Sequence, residues 1–260
     1  MARSLRDDDL VALSTRSPLA VLLDVDGTLA PIAPRPEDAR VPVETREALR
    51  RLVARPRTFV GIVTGRVAAE ARDMVDVGGV WIVGNHGAEY LDPDGAARVD
   101  AAVAPYEGAL ARAAAALVER VAGIPGVLVE FKRWSLALHY RLADPAVAPE
   151  LDALAETVAA REGLRLASAK KVFELRPPAD VNKGTGALAL LDRFGARPDG
   201  GALFAGDDVT DEDAFRRLQA EMPTALTVRV GAPDVETAAG CVVDDPAAVC
   251  GLLERLAALG

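Results

Sequence analysis

The apolar run Leu19–Leu23 ends abruptly in Asp24-Val25-Asp26-Gly27-Thr28. A short apolar run bounded by turn residues reads as a buried strand, so two carboxylates spaced i, i+2 stand at a strand end. The pattern recurs. Thr58–Val63 runs into Thr64-Gly65-Arg66, residues 80–83 into Gly84-Asn85-His86-Gly87-Ala88-Glu89, and residues 201–205 into Gly206-Asp207-Asp208. Helical stripes lie between the first three runs: Ala48, Leu49, Leu52 and Val53 in one, Val67, Ala71, Met74 and Val75 in the other. This alternation predicts an α/β fold with a parallel sheet and right-handed crossovers. Ligands of such sheets bind beyond the carboxyl ends of the strands.

Outside those runs the pattern varies. Residues 1–18 read as a helical lead-in, and the prolines at 31, 34 and 36 impose a loop. From about 104 the grammar changes to helix (105–122), hairpin (127–131 with 135–141), helix (145–161) and hairpin (164–167 with 170–175). That order is α+β, which predicts a smaller domain over 104–176 inserted into a core of 1–103 and 177–260. Past the linker Arg176-Pro177-Pro178-Ala179-Asp180, Asn182-Lys183-Gly184 opens a helix closed by Gly195. Short strands follow at 225–230 and 241–243, then a closing helix at 246–259.

Composition narrows the partners. The net charge is −9 with no basic stretch, which argues against nucleic acid. No run approaches the ~20 apolar residues of a membrane span, and the first residues lack the apolar stretch of a signal peptide. Cys241 and Cys250 are the only cysteines, the pattern of thiols in a reducing compartment. A soluble cytoplasmic protein with a small-molecule substrate is expected, with a monomer as the working unit. Only four of the 30 basic residues are lysine: Lys132, Lys170, Lys171 and Lys183.

Asp24 and Asp26 repel one another unless a cation intervenes, and Mg²⁺ suits oxygen ligands shared with a phosphate. One carboxylate could then attack phosphorus while the other moves a proton. Each part also has an ordinary reading: Asp and Gly are common turn residues, and an acidic run can cap a helix. Thr64 could be a turn residue and Lys183 a solvated first-turn lysine. Their shared location, at strand ends and helix starts of one sheet, distinguishes the set from scattered polar residues.

The set resembles the haloacid dehalogenase superfamily, with its Asp-x-Asp-x-Thr, Thr or Ser, Lys, and acidic pair after Gly. Gly84 to Glu89, Ala137-Leu138-His139-Tyr140-Arg141, Phe173-Glu174-Leu175-Arg176-Pro177 and Gly206 to Asp213 resemble more closely its trehalose-6-phosphate phosphatase family. The resemblance implies a haloacid-dehalogenase-like Rossmannoid core, helices on both faces of a parallel sheet, carrying an inserted α+β cap. It implies Mg²⁺-dependent hydrolysis of trehalose 6-phosphate, in trehalose biosynthesis, through an aspartyl-phosphate. Asp24 would be the nucleophile and Asp26 the general acid, its pKa raised by neighbouring carboxylates and burial. Thr64 and Lys183 would hold the phosphoryl group. Mg²⁺ would be held by Asp24, the Asp26 carbonyl and Asp207, with Asp208 or Asp211 in support.

Strand alternation puts Glu130 with Lys132, His139 with Arg141, and Lys170 with Glu174 on one face of the small sheet. That face could be plainly solvated. The resemblance implies instead that Glu130, Lys132, Arg141, Lys170 and Glu174 bind the disaccharide, with Arg66, Asn85 and His86 at the rim of the core site. The spacing to Glu174 favours Lys170 over Lys171. Two other readings stand beside this one. One is another capped sugar phosphatase, of the sucrose-phosphate or mannosyl-phosphoglycerate type. The other is a catalytically silent sugar-phosphate sensor.

Overall fold

An unbroken apolar strand must be covered on both faces, and every residue of Leu19–Leu23 is buried. The computed structural model describes residues 2–33, 35–169 and 171–259. In chain order its first elements are β1 (Arg3–Ser4), α1 (Asp7–Ser14), β2 (Leu19–Leu23), α2 (Val43–Ala54), β3 (Thr58–Val63), α3 (Ala68–Val75) and β4 (Trp81–Gly84). Next come β5 (Glu89–Leu91), β6 (Ala97–Val99), α4 (Glu107–Val121), β7 (Leu128–Phe131), β8 (Leu136–His139), α5 (Ala148–Glu162), β9 (Arg165–Ala169) and β10 (Val172–Arg176). The chain closes with α6 (Lys183–Arg193), β11 (Gly201–Gly206), α7 (Asp211–Glu221), β12 (Leu226–Val230), β13 (Cys241–Val243) and α8 (Pro246–Ala258). These form two compact units, Met1–Arg98 with Val181–Gly260, and Val99–Asp180. The second extends past 104–176 on both sides.

The first unit's sheet has the order β1-β13-β12-β11-β2-β3-β4-β5-β6. Pairing is parallel from β1 to β4, and β5 is antiparallel to β4. The chain winds from β2 through β3 to β4, then returns with β11 on the other side of β2. The order therefore reverses at β2, and a crevice opens at such a reversal. Alternate side chains of β2 feed two cores. Leu19, Val21 and Leu23 pack with α2 and α8 residues such as Leu49 and Leu252. Ala20 and Leu22 pack with Leu190, Leu191 and Phe215 of α6 and α7. Gly61 in β3 leaves room for this layer, because an added Cβ would fall 2.6 Å from Leu190 Cδ1.

The second unit is a four-stranded sheet, β7-β8-β10-β9, antiparallel throughout. Leu136, Leu138, Phe173 and Leu175 face α4 and α5 and are buried with Leu110, Leu117, Leu151 and Val158.

Several expectations need correction. The lead-in is not wholly helical, since Arg3–Ser4 adds a parallel edge strand beside β13. The stretch after His86 hides β5 and β6, joined through a turn in which Gly95, at φ +83°, donates its N–H to Asp92 O. Strand β8 ends at His139, so Tyr140 and Arg141 lie beyond it. Strand β10 runs through Arg176, which the sequence reading placed in a linker. No described helix is long and apolar enough to cross a membrane.

Phe204, fully buried in β11, meets Phe215 edge-to-face at 5.7 Å. Phe204→Ala should cost about 3–5 kcal/mol. Phe131→Ala, at a side chain 45% exposed, should cost less than about 1 kcal/mol. Denaturant midpoints of the two variants check this ordering.

Candidate active site

The reversal at β2 brings three strand ends side by side: Asp24 after β2, Thr64 after β3 and Asp207 after β11. Asp24 N–H donates to Ala205 O at 3.0 Å, extending the ladder one residue into the site. The turn that follows depends on Gly27. Its φ is +80°, and an added Cβ would collide with the Asp207 carboxylate. Only glycine combines that backbone with that approach.

Lys183 is the first residue of α6, and its N-cap Asn182 accepts from Thr185 N at 3.0 Å. The Lys183 side chain is 2% exposed. Its Nζ lies 2.9 Å from Asp24 Oδ1, 2.8 Å from Asp211 Oδ1 and 3.8 Å from Asp208 Oδ1. It is therefore no solvated first-turn lysine. Burial works against its charge, but Asp211, Asp24 and Asp208 outweigh that and hold the ammonium protonated.

The acidic loop is built around Asp211. Its Oδ2 accepts from Asp207 N and Asp208 N at 3.0 Å each, while Oδ1 takes Lys183. Asp208 Oδ1 accepts from Thr210 N at 2.8 Å, Thr210 Oγ1 at 2.7 Å and Asp211 N at 3.2 Å. Asp208 thus closes the turn leading into α7, as the ordinary reading of an acidic run allows. Burial raises Asp208, but Lys183 and the Thr210 hydrogen bonds outweigh it and hold the carboxyl well below the usual range.

Asp24, Asp207 and Asp211 each offer an oxygen, all within 4.8 Å of one another. Burial, opposed by Lys183, pushes Asp24 up to about 7. Burial, then Asp211 and Asp208, push Asp207 up to about 7. Burial also raises Asp211. Four carboxylates surround one ammonium, so the cluster carries surplus negative charge, with Asp24 and Asp211 buried. Hard oxygen donors with such a surplus match a divalent cation such as Mg²⁺.

Asp26 is placed differently from expectation. Its carboxylate does not stand in the cluster. Both oxygens accept from Arg66, Nε and Nη2 at 2.6 Å each, and the side chain is 36% exposed. The Arg66 guanidinium holds the Asp26 carboxylate away from that cluster, so i, i+2 spacing alone does not bring the two side chains to one group. Thr64 is buried, donates its N–H to Val83 O at 2.9 Å and accepts Arg66 N at Oγ1 at 3.2 Å. Asn85 and His86, both buried, sit in the turn between β4 and β5. Glu89 was not singled out, though it closes that motif. Its Oε1 accepts from Ala68 N at 2.7 Å and Asn85 Nδ2 at 2.8 Å. A carboxylate at a strand start gives no sequence signal for such a contact.

In the second unit, Glu130, Ala137 and Glu174 are register neighbours across three strands. Glu130 Oε2 is 2.9 Å from His139 Nε2 and 3.6 Å from Lys132 Nζ. The His139 hydrogen bond lowers the Glu130 carboxyl below its ordinary value. Glu174 pairs with Arg176, a partner the sequence reading missed. Arg141 does not share the strand face with His139; it is exposed in the turn past β8. Lys171 occupies the β9–β10 turn at φ +67°, its Nζ 5.8 Å over the Tyr140 ring. Lys170 lies outside the described residues.

Known proteins resemble this chain in sequence and fold. The chain is 36% identical over 255 residues to a trehalose-phosphate phosphatase of Mycobacterium tuberculosis, covering 96% of this chain and 63% of that protein. It thus spans 63% of the length of that relative. Among solved structures, a trehalose-6-phosphate phosphatase related protein superposes with a TM-score of 0.80 at 29% identity, over 93% of this chain and 98% of that one. The trehalose-6-phosphate phosphatase of Aspergillus fumigatus superposes with a TM-score of 0.71 at 29% identity, over 100% of both chains. The sequence model of the trehalose-phosphatase family matches residues 22–246, the span that runs from β2 to the start of α8 and carries every core residue just described, and the chain belongs to that family.

Proposed function

We propose that the chain hydrolyses trehalose 6-phosphate to trehalose and phosphate, with Asp24 as nucleophile and Mg²⁺ as cofactor. The observation that supports this most is the buried Lys183 bound to Asp24 and Asp211. It fixes one Asp24 oxygen, neutralises part of the cluster and offers a cation to an arriving phosphate at a helix N-terminus. A sugar-phosphate sensor would need neither the Asp24 contact nor Asp26.

Asp24, Asp207 and Asp211 would hold the cation, with the Asp26 carbonyl as a further donor. When bound, Mg²⁺ supplies charge stabilisation to the phosphoryl oxygens. The chain's own residues do the rest. An Asp24 carboxylate oxygen forms a bond to phosphorus as the bond from phosphorus to the sugar oxygen breaks. Asp26 delivers a proton to that leaving oxygen. It then takes a proton from the water that attacks the aspartyl-phosphate, and free phosphate leaves. Since both Asp26 oxygens face Arg66, the acid step requires Arg66 to turn from Asp26 to the phosphate. That gives Arg66 two partners in one cycle and makes it a substrate-binding residue. Thr64 donates its hydroxyl to a phosphoryl oxygen.

The Glu130, Lys132, His139 and Glu174 face of the second unit would read the sugar, since mixed acids and bases answer hydroxyls that both donate and accept. A substrate that covers such a polar group and leaves it unpaired loses about 1–3 kcal/mol per group.

Phosphate release tests the substrate. Trehalose 6-phosphate should be turned over well ahead of sucrose 6-phosphate, glucose 6-phosphate and mannosyl-phosphoglycerate, and a chelator should abolish it. Preference for another substrate would refute the sugar assignment, and turnover in chelator would refute the metal. Asp26→Asn should bind trehalose 6-phosphate by calorimetry while its turnover falls by about 100-fold or more. Wild-type turnover in that variant would remove Asp26 from the acid role.

A further inference from the structure

Asn85 and His86 have φ of +48° and +57°. Left-handed backbone at non-glycine residues costs about 1–3 kcal/mol each and persists only where the surroundings over-determine it. Here the turn is laced to the loop after β3. Asn85 N–H donates to Arg66 O at 2.8 Å, and His86 N–H donates to Thr64 O at 2.9 Å. Glycines let the two loops touch: an added Cβ at Gly65 would fall 2.5 Å from the His86 ring, and one at Gly84 would fall 2.6 Å from Ala68 N.

Glu89 stands at the centre of this lacing. It pairs with Gly84 across the β4–β5 register. Its single oxygen Oε1 accepts both Ala68 N, at 2.7 Å, and Asn85 Nδ2, at 2.8 Å. Ala68 is the first residue of α3, whose N-cap Val67 provides no side-chain cap. Glu89 therefore supplies from another strand the acceptor that the helix start lacks. Its charge also suits the positive end of the helix. Arg66 lies two residues before that anchored amide and shares a backbone hydrogen bond with Asn85. Its guanidinium grips Asp26.

We propose that Glu89 is a positioning residue for the reaction: by holding the Ala68 and Asn85 amides on one oxygen, it fixes the backbone that aims Arg66 at Asp26 and the phosphate. This rests on the hydrolase reading above. Glu89 is not among the residues proposed to hold the phosphate or the metal. Its contribution is transmitted through Arg66, and misplacement of a group by about 1 Å can cost on the order of 100-fold in rate.

The test compares Glu89→Ala, Glu89→Asp and Glu89→Gln in wild-type and Arg66→Ala backgrounds, on trehalose 6-phosphate and on p-nitrophenyl phosphate, with thermal unfolding of each variant. Glu89→Ala should lower kcat about 10- to 100-fold. Glu89→Gln, which keeps an acceptor oxygen, should recover most of that loss. Glu89→Asp, one methylene short, should lose rate while remaining folded, and it carries the test if the alanine variant does not fold. In the Arg66→Ala background, removing Glu89 should change kcat by less than about twofold, the non-additivity of groups acting as a unit. A folded Glu89→Asp with wild-type kcat would overturn the proposal. So would an undiminished Glu89 effect without Arg66, or a glutamine variant no better than alanine. A wild type active only on p-nitrophenyl phosphate would refute the sugar assignment and leave the Glu89 comparison intact.

Discussion

A lysine ammonium buried among carboxylates is the contact on which the site depends. Lys183 is 2% exposed and lies within 3 Å of both Asp24 and Asp211. Removing one partner of a buried pair of this kind typically costs about 3–5 kcal/mol, because the other charge is left stranded. The ammonium does not balance the four acids around it, and burial raises Asp24, Asp207 and Asp211 together. The fold thus holds a surplus of negative charge that a divalent cation is suited to offset. Stability and chemistry are linked here: Lys183 offsets charge within the cluster and presents positive charge to an anion.

That lysine is delivered by topology. Strand β2 lies between β3 and β11, so residues far apart in sequence arrive at one edge. Helix α6 then packs on the face formed by Ala20 and Leu22, and its N-terminus points Lys183 into the same edge. Small residues set the close approaches. Gly61 admits Leu190 of α6, and Gly27 admits Asp207. Past the edge, the 64–68 and 85–89 segments are hydrogen-bonded into one unit that carries Arg66. The core therefore presents two linked groups, the metal-type cluster with Lys183 and the Asp26–Arg66 pair.

Much of this was legible in the sequence. The runs at Leu19–Leu23 and Thr58–Val63 are buried strands because unbroken apolar residues have no other place, and their polar ends mark the site. Alternation in 172–176 separates the covered face of the small sheet from the polar one, while Phe131 at the end of β7 stays exposed. The misses have physical causes. Strands β1, β5 and β6 have two or three residues each, too short for periodicity to register. Asp26 stands next but one to Asp24, yet its carboxylate is taken by Arg66 from the loop after β3, and sequence spacing carries no information about that contact. Asp208, expected in support of the metal, closes the turn into α7 through one oxygen, a use that asks for the same residue type. Glu89 acts through Ala68, a partner that only the folded register supplies, and Arg176 pairs with Glu174 along β10, a same-face pair that shows only once the strand is seen to run through Arg176.

In the proposed reaction Asp24 carries the phosphoryl group between substrate and water. The most direct measurement is to quench the chain in acid during turnover of trehalose 6-phosphate, reduce it with borohydride and locate the modified residue by mass spectrometry. The account predicts conversion of Asp24 to homoserine, dependent on substrate and on Mg²⁺ and absent from Asp24→Asn. Turnover with no modification of the chain, or modification at any other carboxylate, would contradict it.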